Sequence, residues 1–369
     1  MKKIKLGDIA EIVTGPFGSQ LHACDYTTNG IPYIMPKDIG ERFIIEDNIS
    51  RISTSDAKRL RRYQLSLGDI IYSRRGDIEK CALIKPENVG ALCGTGCIRV
   101  RPNSIKVMPL FLSLYLGQPH VRKWIVSHAV GATMPNLNSD ILKQLPIKLP
   151  SIAEQNKIAA ILDALDAKIA LNKKINATLE SMAKTLYMHE FFRKLPNGKL
   201  NDIIIENSKS IIPVGAAKST GGKFPFFTSG DSVLSWTDSL VDGRNIFLND
   251  GGNAGVKFYV GKAAYSTHTY NISAKENLAD YIYLLLKVIE PELDKRFFTG
   301  TGLKNLRKDL LKEREIYIPT KTEREQFNAI VQPCFTKISA NFRESRRLAE
   351  MRDWLLPMLM NGQIQFKET

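Results

Sequence analysis

Two stretches of the chain, "NSDILKQLPIKLPSIAEQNKIAAIL" from Asn138 and "RKDLLKEREIYIPTKTEREQFNAIV" from Arg307, align without a gap at a constant offset of 169 residues. Asp140 pairs with Asp309, Pro150 with Pro319, Glu154 with Glu323 and Ile161 with Ile330. The register then runs on through Ile169 and Ile338, Asn172 and Asn341, Met182 and Met351, and Leu186 and Leu355. An internal repeat constrains the fold before any local reading does. Two copies are too few for a solenoid, so the repeat implies two similar halves related by a pseudo-twofold axis.

Each copy opens a helix in the same way. Ser151 with Glu154, and Thr320 with Glu323, form capping boxes directly after Pro150 and Pro319. In the first copy Ile158, Ile161, Leu162, Leu165, Ile169, Ile175, Leu179, Met182 and Leu186 recur by threes and fours, and Pro196 and Gly198 stop the pattern. A helix over 151–194 is about 66 Å long at about 1.5 Å per residue, too long for one small core. Its natural mate is the second copy over 320–369, and the simplest compact pairing is an antiparallel coiled coil.

The remaining segments, 1–150 and 195–319, read as mixed α/β domains. "GDIIYSRRGD" and "CIRVRP" alternate as strands, while "STGGKFPFFTSGDS" and "NDGGNAGVKFYVGKAAYSTHTYNIS" are rich in turns. "NIFLNDGGN" from Asn245 echoes "DIIYSRRGD" from Asp69, but elsewhere the two domains differ. The predicted class is α+β: two divergent mixed domains separated by two similar long helices.

With 52 Lys and Arg against 38 Asp and Glu, the formal charge of +14 suits a polyanionic partner, nucleic acid or an anionic membrane surface. No run approaches the length of a membrane span or a signal sequence, so a cytoplasmic protein is expected. Five cysteines, an odd number, argue against a disulfide framework, and the Cys93/Cys97 pair has no further ligands for a metal site. Catalytic signatures are missing too. There is no Pro-Pro for an amino-methyltransferase motif, and "GVKFYVGKA" is one residue too long for a phosphate loop and ends in alanine. No cofactor is implied.

In order along the chain, "LGDIAEIVTGPFGSQL", "GIPYIMPKDI", "GDIIYSRRGD", the "LPIKLPSIAEQNKIAAILDALDAKI" join and the closing "LLPMLMNGQI" resemble the specificity subunit of type I restriction-modification enzymes. The resemblance implies two target-recognition domains, each reading half of a split sequence in double-stranded DNA. It also implies that the helices act as spacer and docking surface for two methyltransferase (modification) subunits, joined in the full enzyme by restriction/translocase subunits. The second half departs from the pattern: "LNDIIIENSKSIIPVGAAKSTGGKFPFF" matches the usual opening of a recognition domain poorly. An enzyme, the recognition part of a fused methyltransferase-nuclease, stands as the alternative.

Within this frame the loop "TGPFGSQ" offers Ser19 and Gln20, and "MPKDI" offers Lys37. Arg74 and Arg75 stand at a strand end, where a guanidinium can pair with guanine or clamp phosphate. Strand neighbours face opposite ways, so one of the two is expected to reach DNA and the other to be structural. The run from Lys58 to Leu65 reads as a solvated helix face near phosphates. In the second domain Lys218 and Lys223, with Lys257, suit phosphates. Arg244, Asn249, Asn253 and His268 lie around strand ends, and Asn can address adenine through two hydrogen bonds. Thr133, Asn136, Thr301 and Lys304 lie where domain meets spacer. On the first helix Ala159, Ala160, Ala164, Ala167 and Ala170 permit close approach by a partner helix. Asn172 and Asn341, equivalent and near mid-helix, are expected to face each other across the seam and fix its register.

Overall fold

The computed structural model describes residues 2–40, 42–131, 135–300 and 304–364. It divides into two compact units, Met1–Ala167 with Leu348–Thr369, and Lys168–Arg347.

In the first unit the strands that position the site include β1 (Ala10–Thr14), β2 (Ile31–Ile34), β3 (Ile70–Ser73), β4 (Cys81–Leu83), β5 (Leu92–Cys93) and β6 (Cys97–Pro102). Four of them form an antiparallel sheet in the order β1-β6-β3-β4, and β2 runs parallel to β5 with Tyr33 opposite Leu92. All four residues of β3 are buried, and their alternation serves two cores. Ile70 and Tyr72 face helix α1 (Pro109–Leu116), while Ile71 faces Ile34, Ile39 and Cys93. The first core is closed by Ile158 and Leu162 of the long helix α2 (Ile152–Glu190) and by Leu359 and Met360 near the chain's end.

The second unit repeats this plan with other residues. Its corresponding strands are β7 (Ile204–Glu206), β8 (Phe224–Phe227), β9 (Arg244–Asn249), β10 (Val256–Val260), β11 (Ala264–Tyr265) and β12 (Thr269–Ala274), among others. The sheet order is β7-β12-β9-β10, again antiparallel, and β8 runs parallel to β11. In β9, Ile246 and Leu248 face helix α3 (Ala279–Val288), while Phe247 stacks on Phe227 with ring centroids 4.1 Å apart. The second long helix, α4 (Lys321–Met360), contributes Phe327, Val331 and Phe335 to this core.

Both predicted capping boxes form. Ser151 donates from N and Oγ to Glu154 Oε2 at 3.0 and 2.9 Å, and Thr320 does the same to Glu323 at 2.8 and 2.8 Å. Lys194, together with the Thr320 backbone, holds the Glu323 carboxyl down to about 2. The apolar stripe of α2 is narrower than its spacing suggests. Ile158 and Leu162 are buried, whereas Ile161 and Met182 are 40% and 58% exposed. Spacing by threes and fours covers more than one face of a helix, and only one face is packed.

Within the second unit α2 and α4 pack side by side and antiparallel: residue 172 meets 344 and 345, and residue 176 meets 341. Asn172 and Asn341 are both 1% exposed, yet they do not pair with each other as expected. Asn172 Nδ2 donates to Glu344 Oε2 (2.7 Å) and Ser345 Oγ (3.3 Å), and Asn341 Nδ2 donates to Asn176 Oδ1 (2.8 Å). The local axis crosses the seam two residues further along than equal position in the helices implies. Among the described residues no helix is long and apolar enough to cross a membrane.

Candidate nucleic-acid interface

In the first unit the sheet directions gather four loops at one end. Thr14 at the end of β1 lies opposite Ile98, and Ser73 at the end of β3 lies opposite Cys97, so both strands finish where β6 begins. The parallel pair β2 and β5 finishes there too, since Gly94 N donates to Ile34 O at 2.9 Å. Backbone packing is tight. A Cβ on Gly15 would stand 2.2 Å from Gly94 O, and one on Gly94 would stand 2.3 Å from Ile34 O, which is why glycine occupies both positions. Tyr33 braces the rim: its hydroxyl meets Thr95 Oγ1 at 2.8 Å and accepts from Thr95 N at 2.8 Å.

On this end Ser19, Gln20, Lys37 and Arg75 are exposed, as is Phe17. Arg74 and Arg75 part company: the Arg74 backbone N donates to Gly96 O (2.7 Å) and its Nε to Asn136 Oδ1 (3.1 Å), while the Arg75 side chain points outward. Gln20 is pinned at its carbonyl by Arg59 Nη2 (3.0 Å) and at Oε1 by Tyr63 (3.2 Å). That contact places the run Lys58–Tyr63, with Arg59, Arg61 and Arg62 exposed, beside the glycine loop. Thr133 lies outside the described residues, as does Thr301.

The second unit gathers the corresponding loops. Asn249 at the end of β9 lies opposite Thr269 at the start of β12, and Ser266 N donates to Phe227 O at 2.9 Å. Asn253 and His268 are exposed on this end. Asn249 is not: it is 6% exposed, donates to Asn253 O (3.0 Å) and accepts from Lys257 Nζ (3.2 Å). It braces the loop that carries Asn253 instead of reading a base, because a short amide at a strand end satisfies the turn's own backbone. Lys257 is drawn inward as well, donating to Thr228 O at 2.7 Å, and burial lowers its pKa.

Arg244 stands at the opposite end of β9 and is committed to the fold. It donates to Asp280 Oδ1 (2.6 Å), Gln332 O (3.0 Å) and Thr336 Oγ1 (2.8 Å). Asp280 is fully buried; burial pushes its carboxyl up to about 6 against the opposing pull of Arg244, which supplies the countercharge. The expectation that Arg244 reaches DNA is therefore corrected. Lys223 precedes β8, also away from the loop end, and Lys218 is exposed on the helix Val214–Thr220. Lys304 is paired with Asp294 (3.1 Å).

Sequence reasoning missed Lys209, exposed on the loop after β7, which corresponds to the loop bearing Ser19 and Gln20. The signal was the strand-then-"NSKS" order, hidden by the poor match of this opening to the first domain. Cys81, Cys93 and Cys97 are buried free thiols, with Cys93 pushed up to about 12 by burial.

The model of the type I restriction modification DNA specificity domain matches this chain twice, over residues 1–181 and 196–344. The MjaIX specificity subunit of Methanocaldococcus jannaschii is 25% identical over 418 residues, covering 100% of this chain and 94% of its own. The HindI specificity subunit of Haemophilus influenzae is 22% identical, covering 98% and 99%. In fold, the chain is similar to a type I restriction-modification S subunit from M. genitalium, with a TM-score of 0.62 at 16% identity, over 100% of this chain and 96% of that one. Two copies of the domain, matched in order over most of the chain, carry the conclusion: the chain belongs to the type I restriction modification DNA specificity family, as the specificity subunit of such a system and itself non-catalytic.

Proposed function

We propose that each unit reads one half of a split target in double-stranded DNA through the loops at the end of its sheet. The observation that carries this reading is that one sheet order and one set of loops recur on two divergent sequences, each loop end presenting polar or basic side chains. In the first unit Ser19, Gln20, Lys37 and Arg75 are the candidate contacts, with Arg59, Arg61 and Arg62 alongside for phosphate. In the second they are Asn253, His268 and Lys209, with Lys218 and Lys223 available to phosphate further off. Arg74 and Asn249 hold their loops in shape.

The helices serve two identical modification subunits in this reading. Large apolar side chains stay exposed at equivalent points of both copies: Ile161 and Ile330 at 40% and 59%, Met182 and Met351 at 58% and 51%. Ala160, Ala164, Ala167 and Ala170 are exposed on α2, whereas Ala159 is buried in the first unit's core. Restriction/translocase subunits join through the modification subunits, in the cytoplasm where the genome is. Mapping methylated positions genome-wide in cells with and without this chain tests the proposal. A lost motif made of two short halves around a fixed gap supports it; a single uninterrupted motif overturns it.

A further inference from the structure

The seam between α2 and α4 holds a polar clasp that the repeat itself generates. Adding the offset of 169 to Asn172 gives Asn341, and adding it to Asn176 gives Ser345. The contact from Asn172 to Ser345 (3.3 Å) and the contact from Asn341 to Asn176 (2.8 Å) are thus one contact seen twice, and the local axis passes between Lys174 and Arg343. Asn176 Nδ2 also donates to the carbonyl of Ile338 (3.3 Å). Asn172 reaches Glu344 as well, at 2.7 Å; with Lys168 nearby, that contact holds the Glu344 carboxyl below its usual range.

The clasp is specific to one register. Both asparagines are buried, and Asn172 Oδ1 already lacks a partner, so a slide of either helix would leave further amide groups buried and unpaired. A slide by one heptad moves a helix by about 10 Å, the rise of about three base pairs. The clasp is also tied to the second sheet. Arg343, on the axis, donates to Tyr259 Oη (3.1 Å) and Val260 O (2.9 Å) at the end of β10, and Ser339 Oγ accepts from Val260 N (2.9 Å).

We infer that Asn172, Asn176, Asn341 and Ser345 are positioning residues for DNA recognition: by locking helix register they fix the number of base pairs between the two half-sites. This rests on the split-target reading. The test uses the assembled methyltransferase complex and a set of duplexes carrying both half-sites with the gap lengthened or shortened by one to three base pairs. The native protein is expected to prefer one gap by about tenfold or more. Asn176→Leu with Asn341→Leu should keep or raise the melting temperature while levelling that preference. The exchange Asn176→Ser with Ser345→Asn swaps the two mates across the axis and should restore it. A leucine variant as selective as the native protein, or an exchange variant that folds and is as unselective as the leucine variant, overturns the clasp alone. A native protein indifferent to the gap overturns the split-target reading and the clasp with it.

Discussion

At one pair of equivalent positions the two units solve the same joint with opposite chemistry. In the first, Asp166 of α2 accepts from Arg352 of α4 (2.7 Å) and from Arg42 of the sheet domain (3.3 Å). The residue 169 positions on from Asp166 is Phe335, and the mate of Arg352 is Ala183. There Phe335 packs edge-on against Phe258 and Tyr283, centroids 5.0 and 5.2 Å apart, and Tyr187 of α2 lies against Tyr281. The repeat therefore preserves backbone path and helix register but not the contacts that hold each sheet domain to its helices. A recognition domain on this plan needs a matching sheet and a joint of either kind, which leaves the loops free to diverge.

The aromatic joint should be the stronger. Phe335→Ala removes a buried ring from the second unit's core and is expected to destabilise that unit by about 3–5 kcal/mol, measured by denaturant unfolding. If it costs no more than a surface change, the joint is not where the unit is held.

Arg244→Ala comes next, at about 3 kcal/mol, because it leaves Asp280 buried without its countercharge. The pH dependence has a definite sign. Asp280 titrates in the fold near 6, above its ordinary value, so its protonated form favours the fold and that contribution fades as pH rises through about 6. Removing Arg244 raises the value further, so the deficit of the variant should shrink as the pH is lowered from 7 to about 5. A deficit independent of pH would mean that Arg244 acts through Gln332 and Thr336 alone. In neither case should the base preference of the folded protein change.

Arg75→Ala should weaken binding to the preferred target by about 1–3 kcal/mol and relax one base position, if its guanidinium reads a base edge. Arg74→Ala should instead loosen the loop through Asn136 and lower stability. Equal losses on all sequences for Arg75→Ala would assign it to phosphate. The smallest effect belongs to the ionic joint. Asp166→Asn is expected to cost under about 1 kcal/mol, since all three partners keep contact with water. A loss as large as that of Phe335→Ala would erase the contrast between the joints.

How much of this was legible in the sequence follows from what each signal encodes. The long helices were, down to their caps, because a capping box and its helix are local. Strand alternation placed β3 and β6, and the echo between "DIIYSRRGD" and "NIFLNDGGN" placed β9, yet the common sheet order of the two units was hidden, since topology is carried by burial pattern and not by identity. Arg244 misled because a strand-end arginine looks alike whether it faces DNA or a buried aspartate, and Asp280 is 36 residues away. Asn249 misled for a similar reason: its partners lie within its own turn. For Asn172 and Asn341 the offset revealed that they are equivalent, but not where the axis crosses, which depends on how the helices slide.

The central claim is that the two loop ends read DNA independently on a shared plan. It is tested most directly by replacing residues 195–319 with the corresponding domain of another specificity subunit and mapping the methylated sites. The account requires that one half-site change while the other half-site and the gap between them stay as they were. If both halves change together, or neither does, the two units do not read DNA independently.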